Sequence, residues 1–260
     1  MPELPEVETV VRSVAPHLVG RRIVSAEFRS KFVTPGNRRK LAAHVAGRTI
    51  VEVRRRGKFI VVRLDEGFLS IHLGMTGKLL LDGEMGGHTH GIFALDHGML
   101  LYDDPRQFGR IEWSPKRIER LGPEPLEISL DDFVKRLHSR KSQIKPLLMN
   151  QSFLAGLGNI YVDEALFAAG IHPLTIAARL SEPRAAKLYQ VIREVLNLAI
   201  EHRGSSISDY VDGDGQRGYF QVMHRVYGRE GEPCLKCGTA IRKIVVGQRG
   251  THFCPQCQKR

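Results

Sequence analysis

Four cysteines, Cys234, Cys237, Cys254 and Cys257, lie near the end of the 260-residue chain. They read C-L-K-C, sixteen intervening residues, then C-P-Q-C. Each pair offers two thiolates from one tight turn, and two such turns complete the tetrahedral four-sulfur geometry of structural zinc. A lone C-x-x-C admits redox work, but two pairs at the end of a basic chain point to one structural Zn2+. No cysteine remains for disulfides elsewhere, which fits a reducing compartment. Zinc would hold the segment between the pairs as a β-hairpin carrying Arg242, Lys243, Gln248 and Arg249. Such a hairpin suits a DNA probe; a stapled tail with a solvated face is the alternative.

At the other end the chain begins MPELPEVETV, with Glu3 and Glu6 three residues apart. Proline and glutamate both suit the first turn of a helix. A plain helix start is one reading, and a terminus that itself does chemistry is the other. A third constellation is IKPLLMNQSFLAGLGNIYVDEALF. Its G-x-G is no dinucleotide fingerprint, because no strand precedes it and Tyr161 holds the third glycine position. Two turns instead join a helical stretch to a helix starting near Asn159. Free amides there, with Lys145 and Arg140 nearby in sequence, could hold phosphate. A simple helix–turn–helix packing unit competes equally. In the β-rich half stand Lys58 after Gly57, His72 and Met75 in SIHLGMTGK, and Arg106 and Phe108 in DDPRQFGR. A Met or Phe beside Arg could wedge into a base stack. Taken alone, these residue types favour a solvated edge lysine and ordinary core packing.

The elements that must position these groups follow from periodicity. Val7, Val10, Val11 and Val14 recur at helical spacing and predict one amphipathic helix ending before Gly20. From about residue 22 to 113, short β-rich runs such as RRIVSAEF, KFIVVRL and MLLYDD alternate with Gly- and Asp-bearing turns. Their number and spacing predict an antiparallel sandwich or barrel. LGPEPLEISLDD reads as a linker, and beyond it the texture is helical. Residues 203–220 are polar and glycine-rich, a loop length that is often functional.

The charge balance selects the partner class. Thirty-nine basic and 28 acidic residues leave a formal +11, which favours an anionic partner, nucleic acid above a membrane surface. No apolar run approaches the ~18 residues of a membrane span. No basic-plus-apolar leader opens the chain, which predicts a protein that is not secreted.

Taken jointly and in order, these features resemble the formamidopyrimidine-DNA glycosylases, bacterial enzymes that excise oxidised purines. The resemblance rests on MPELPEVE, the lysine after RRRG, HLGM, DPRQFG, GPEPL, AGLGNIYVDEALF with AGIHP, GYFQ, YGREGEPC and the four-cysteine finger. It spans essentially the whole chain. The sister endonuclease VIII-type enzymes usually start PEGPE and lack the Met/Arg/Phe set at these places. An oxidised-pyrimidine glycosylase and a non-enzymatic zinc-dependent DNA-binding module are the alternatives. One small departure is MNQ, where an acidic residue often precedes the glutamine.

The resemblance implies an α+β, multi-domain fold: a leading helix with a β-sandwich over residues 1–122, a linker at 123–130, a helix–two-turn–helix domain over 131–222, and a zinc finger over 223–260. It implies a cytoplasmic, bacterial, monomeric enzyme acting on damaged double-stranded DNA, with no membrane association. Loss of Met1 would leave Pro2 as a free secondary amine, and α-amino groups titrate near ~7.7–8, low enough to be partly uncharged at neutrality. The amine would attack C1′ of the lesion nucleotide and form a Schiff base. Glu3 would move protons, Lys58 would assist β-elimination and Arg249 δ-elimination, with Glu6 orienting. Guanidinium is a poor acid, so clamping phosphate is the easier task for Arg249. Flipping the nucleotide leaves a void that Met75, Phe108 and Arg106 would fill. His72, His88, Arg140, Lys145 and Asn159 match DNA-contact positions, and the loop from Ser205 to Tyr219 matches the segment that closes over the flipped base.

Overall fold

Helix α1 (Leu4–Leu18) is the element that everything around the N-terminus packs on. Val7, Val10, Val11 and Val14, the apolar stripe read from the sequence, are all buried, and Leu18 extends it. The computed structural model describes residues 1–206 and 210–259. The chain divides into two units, Met1–Glu119 with His202–Gln221, and Arg120–Glu201 with Val222–Arg260.

In the first unit, eight strands follow α1: β1 (Ile23–Phe28), β2 (Ile50–Arg56), β3 (Phe59–Leu64), β4 (Phe68–His72), β5 (Lys78–Leu81), β6 (Thr89–Leu95), β7 (Met99–Asp103) and β8 (Arg110–Trp113). They form two four-stranded antiparallel sheets, ordered β1-β6-β7-β5 and β2-β3-β4-β8. Ile60, Val62 and Ile71 of one sheet share a single core with Phe93 and Tyr102 of the other and with the α1 valines. This is the sandwich with a leading helix that the strand spacing suggested. Two elements escape a reading of the sequence. Helix α2 (Arg38–Val45) buries only Val45, so it has no apolar stripe to reveal it; Asn37 caps it by accepting the Lys40 N–H at 2.9 Å. Strand β5 is four residues long, too short for alternation to show.

The loop expected within the helical domain belongs, in its described part, to the first unit; residues 207–209 lie outside the described residues. The reason is polar docking onto α1. Ser205 N–H donates to Glu6 Oε1 at 2.7 Å, the Tyr210 hydroxyl donates to the Glu6 carbonyl at 3.1 Å, and Gly213 N–H donates to Ser13 Oγ at 2.9 Å.

The second unit holds α3 (Leu130–His138), α4 (Ile144–Met149), α5 (Asn159–Ala169), α6 (Glu182–Glu201) and a hairpin of β9 (Arg242–Val246) and β10 (Arg249–Phe253). Between α4 and α5 the chain makes two turns braced from inside by Gln151. Its amide donates to the Met149 and Leu157 carbonyls at 2.8 Å each and accepts the Gly156 N–H at 2.9 Å. The stretch read as a linker is bonded to these turns, through Gly122 N–H to Gln151 O and Ala155 N–H to Pro123 O. Gln151→Ala strands three backbone groups at once. It should cost about 1–3 kcal/mol, read as a lower urea midpoint for this unit.

Candidate active site

Pro2 is buried and immediately precedes Glu3, the N-cap of α1. Met1, by contrast, is 53% exposed. Glu3 is buried, and its N–H donates to Glu6 Oε2 at 2.7 Å. Because the other Glu6 oxygen takes the Ser205 N–H, one carboxylate ties the start of α1 to the 203–220 loop. Lys58 sits in the two-residue turn between β2 and β3 and is buried. That hairpin is held to α1 by Arg55, whose Nε lies 2.9 Å from Glu8 and whose guanidinium also donates to the Gly57 carbonyl.

Next to this turn, His72 pairs across the sheet with Phe59, and their rings lie 4.9 Å apart. Burial, with the positive charges of Lys58, Arg117 and Arg110, pushes His72 down to about 4. The imidazole is therefore neutral at pH 7, and its Nδ1 accepts the Gly74 N–H at 3.1 Å.

Met75, Arg106 and Phe108 are brought together and exposed, not buried in a core. They project from two loops, residues 73–77 after β4 and 104–109 after β7. Met75 is 41% and Phe108 52% exposed, and the Arg106 guanidinium lies 4.6 Å from the Phe108 ring centroid. Two groups that sequence reasoning missed lock these loops. Asp104, fully buried, accepts the Thr76 hydroxyl at 2.6 Å and the Gly109 N–H at 2.8 Å. At Gly74 (φ +62°) any Cβ would stand 2.5 Å from the Gly109 nitrogen, so the loops touch backbone to backbone. The only sequence signal for this was polar and glycine residues flanking the exposed three. His88 is exposed just before β6, and its carbonyl accepts the Asp104 N–H.

In the second unit Arg140 is exposed beside a cleft of about 500 Å³ lined by Lys141, Ser142, Asn150 and Ser152. Lys145 is fully buried. Its Nζ lies 2.6 Å from Asp163 and 3.2 Å from the Gly250 carbonyl, which also accepts from Asn159 Nδ2 at 3.0 Å. Arg249 is exposed at the first position of β10.

The four cysteine sulfurs lie within 4.8 Å of one another, with Cys234–Cys257 at 3.9 Å and Cys237–Cys254 at 3.5 Å. Zn–S bonds of about 2.3 Å in a tetrahedron place sulfurs about 3.8 Å apart, so the cluster fits zinc. Hydrogen bonds from Thr239 bring the Cys237 thiol down to about 6, whereas burial and the neighbouring sulfurs push Cys257 up to about 12. Four thiolates this close need a cation to coexist, and Zn2+ held by Cys234, Cys237, Cys254 and Cys257 supplies it. Chelation should release one Zn2+ per chain and make residues 231–259 protease-sensitive while the sandwich core persists.

The buried histidines set an acid limit. His72, and His224 of the second unit, are both pushed down to about 4, chiefly by burial. Unfolded histidine titrates near ~6.5, so the unfolded chain binds protons first. Stability is complete above about pH 6.5 and declines as pH falls toward 4, by up to about 3 kcal/mol per residue. Denaturant midpoints across pH 4–7 should show this decline, and His72→Gln should flatten the share from the first unit.

Three family models match the chain: the formamidopyrimidine-DNA glycosylase N-terminal domain over residues 1–111, the formamidopyrimidine-DNA glycosylase H2TH domain over 121–211, and the zinc finger found in FPG and IleRS over 231–260. A formamidopyrimidine-DNA glycosylase of Solibacter usitatus is 60% identical, with both chains covered in full. One of Neisseria meningitidis is 41% identical, again over the full length of both. Among solved structures, the MutM (Fpg) protein of Thermus thermophilus matches with a TM-score of 0.89 and 43% identity, covering 99% of this chain and 98% of its own. Lactococcus lactis Fpg in complex with abasic-site DNA matches at 0.90 and 38%, covering 99% and 100%. With a buried proline before a capping glutamate, an exposed Met/Arg/Phe set and a four-cysteine finger already in place, these matches show that the chain belongs to the formamidopyrimidine-DNA glycosylase family.

Proposed function

We propose that this DNA glycosylase of base excision repair acts on oxidised purines in duplex DNA through a free amine at Pro2. The observation that carries the reading is the N-terminus of α1, where Pro2 and Glu3 are buried side by side while Met1 is exposed to removal. Once Met1 is gone, the Pro2 nitrogen is a secondary amine at the positive end of a helix, which disfavours its cationic form. Its lone pair forms a bond to C1′ of the lesion nucleotide as the C1′–N bond to the base breaks. The departing base takes a proton and the Pro2 nitrogen gives one up; the C1′–O4′ bond then breaks, O4′ takes a proton, and the opened sugar is joined to the protein by an iminium. Glu3 is the acid/base group nearest the amine in the chain, and Glu6 orients it. Loss of the 3′ and then the 5′ phosphate follows by β- and δ-elimination, the lyase step typical of the family. Lys58 serves the first elimination, and Arg249 clamps phosphate charge in the second.

Access to C1′ requires flipping the nucleotide out of the stack. Met75, Phe108 and Arg106 are exposed side chains of the size and polarity to fill the gap it leaves. Arg140, His88 and the amides at the start of α5 are suited to backbone phosphates. The relatives solved with DNA, including Fapy-dG and abasic-site duplexes, support this substrate class. Among the described residues no helix is long and apolar enough to cross a membrane. A cytoplasmic monomer working on damaged double-stranded DNA is the setting that suits this chemistry.

Borohydride trapping on duplex containing 8-oxoguanine opposite cytosine tests the reading. Processed protein should give a covalent adduct. Protein that retains Met1 or an uncleaved N-terminal tag should bind the duplex yet trap at least 100-fold less. An undiminished adduct from the blocked terminus would overturn Pro2 as nucleophile. Preferential trapping on thymine glycol would overturn the purine assignment.

A further inference from the structure

Arg249 stands at the tip of the finger hairpin, and zinc does not reach it. The turn residues Gly247 and Gln248 both have positive φ, +55° and +63°, so the strands reverse over two residues. Arg249 is five residues from Cys254, about 16 Å along an extended strand. A metal at the base leaves a two-stranded ribbon free to swing, and an isolated hairpin is only marginally stable.

Something else fixes the tip. The outer edge of β10 is gripped twice by side chains from α4 and α5. The Gly250 carbonyl accepts from Lys145 Nζ and from Asn159 Nδ2, and the His252 N–H donates to Asp163 Oδ2 at 2.9 Å. Asp163 Oδ1 holds Lys145 Nζ at 2.6 Å, with both side chains fully buried. One carboxylate thus binds the strand directly and also orients the ammonium that binds it two residues earlier. At the turn itself Gly247 backs onto Pro146, where a Cβ would stand 3.1 Å from the ring.

The geometry points to Asp163 as a positioning residue that aims the hairpin tip, and with it Arg249, through the Lys145–Gly250 and His252 contacts. It touches no reacting atom. Its reach into the reaction rests on the reading of Arg249 as the group that serves the second elimination.

The test uses full-length, zinc-loaded protein. Asp163→Asn keeps the size of the side chain and removes its charge. Gly247→Ala disturbs the tip without touching the buried pair, and so covers the case in which Asp163→Asn folds poorly. Both should retain one zinc per chain and trap on 8-oxoguanine duplex within about threefold of the parent. Amide exchange over residues 249–253 should accelerate at least tenfold, and the ratio of δ- to β-elimination product should fall at least fivefold. Unchanged exchange in Asp163→Asn overturns the positioning role. So does faster exchange with an unaltered product ratio, provided Arg249→Ala lowers that ratio. If Arg249→Ala leaves the ratio intact, the reading of Arg249 fails instead, and the exchange data alone decide whether Asp163 aims the tip.

Discussion

The first unit turns on one carboxylate. Glu6 accepts the Glu3 N–H with one oxygen and the Ser205 N–H with the other, and it is itself buried. Chain ends normally fray, and the first amides of a helix have no partners within it. A single side chain answers both problems and adds a third function, since its other oxygen holds the following loop at Ser205. Any displacement of that loop pulls on the group that holds Glu3. The two glutamates three residues apart thus brace each other, Glu6 taking the Glu3 N–H and the Glu3 side chain taking the Glu6 N–H at the cap beside Pro2.

The same device, a buried carboxylate binding backbone N–H groups, recurs in both units. Asp104 joins the loops that carry Met75, Arg106 and Phe108. Asp163 joins α5 to β10. Glu164, its neighbour, accepts the N–H groups of Arg225, Val226 and Tyr227 and so anchors the chain as it enters the finger. Burial pushes the Glu164 carboxyl up, and those three donors pull it back. Each carboxylate binds backbone N–H groups, which fixes main-chain position independently of the side chains that must remain exposed. Truncating one leaves buried donors unsatisfied, at about 1–3 kcal/mol for neutral groups. For Asp163 the cost is larger, because a buried lysine would lose its counter-charge.

Much of this was legible in the residues alone. The α1 stripe, the strand runs and the C-x-x-C pairs are periodic or spaced signals, and each corresponds to an observed element or cluster. What stayed hidden is what periodicity cannot encode. Helix α2 carries RRKLAAHV and buries one residue, so its helical period has no apolar marker. Met75 and Phe108 look like core residues by type; only their placement on loops makes them exposed. Lys145 has the opposite problem, a residue whose charge suggests a phosphate contact but whose ammonium is enclosed by Asp163 and Gly250. Its partners are 18 and 105 residues away, and nothing local announces them.

These buried carboxylates also change what the net charge means. Among the described residues seven acidic side chains are buried, Glu3, Glu6, Asp104, Glu124, Asp163, Glu164 and Asp212, against two lysines, Lys58 and Lys145. The surface is therefore more basic than the formal +11. Negative charge has been moved to the interior, where it holds backbone, and positive charge left outside, where it meets phosphate. For a protein that must find one altered base among many normal ones, that division serves both halves of the task. Exposed cations give affinity that depends on salt and not on sequence, allowing movement along the duplex. Interior carboxylates keep the start of α1 and the loops that carry Met75, Arg106 and Phe108 in fixed geometry during that movement. Mobility on DNA and rigidity in the site are thus carried by the two signs of charge, separated by burial.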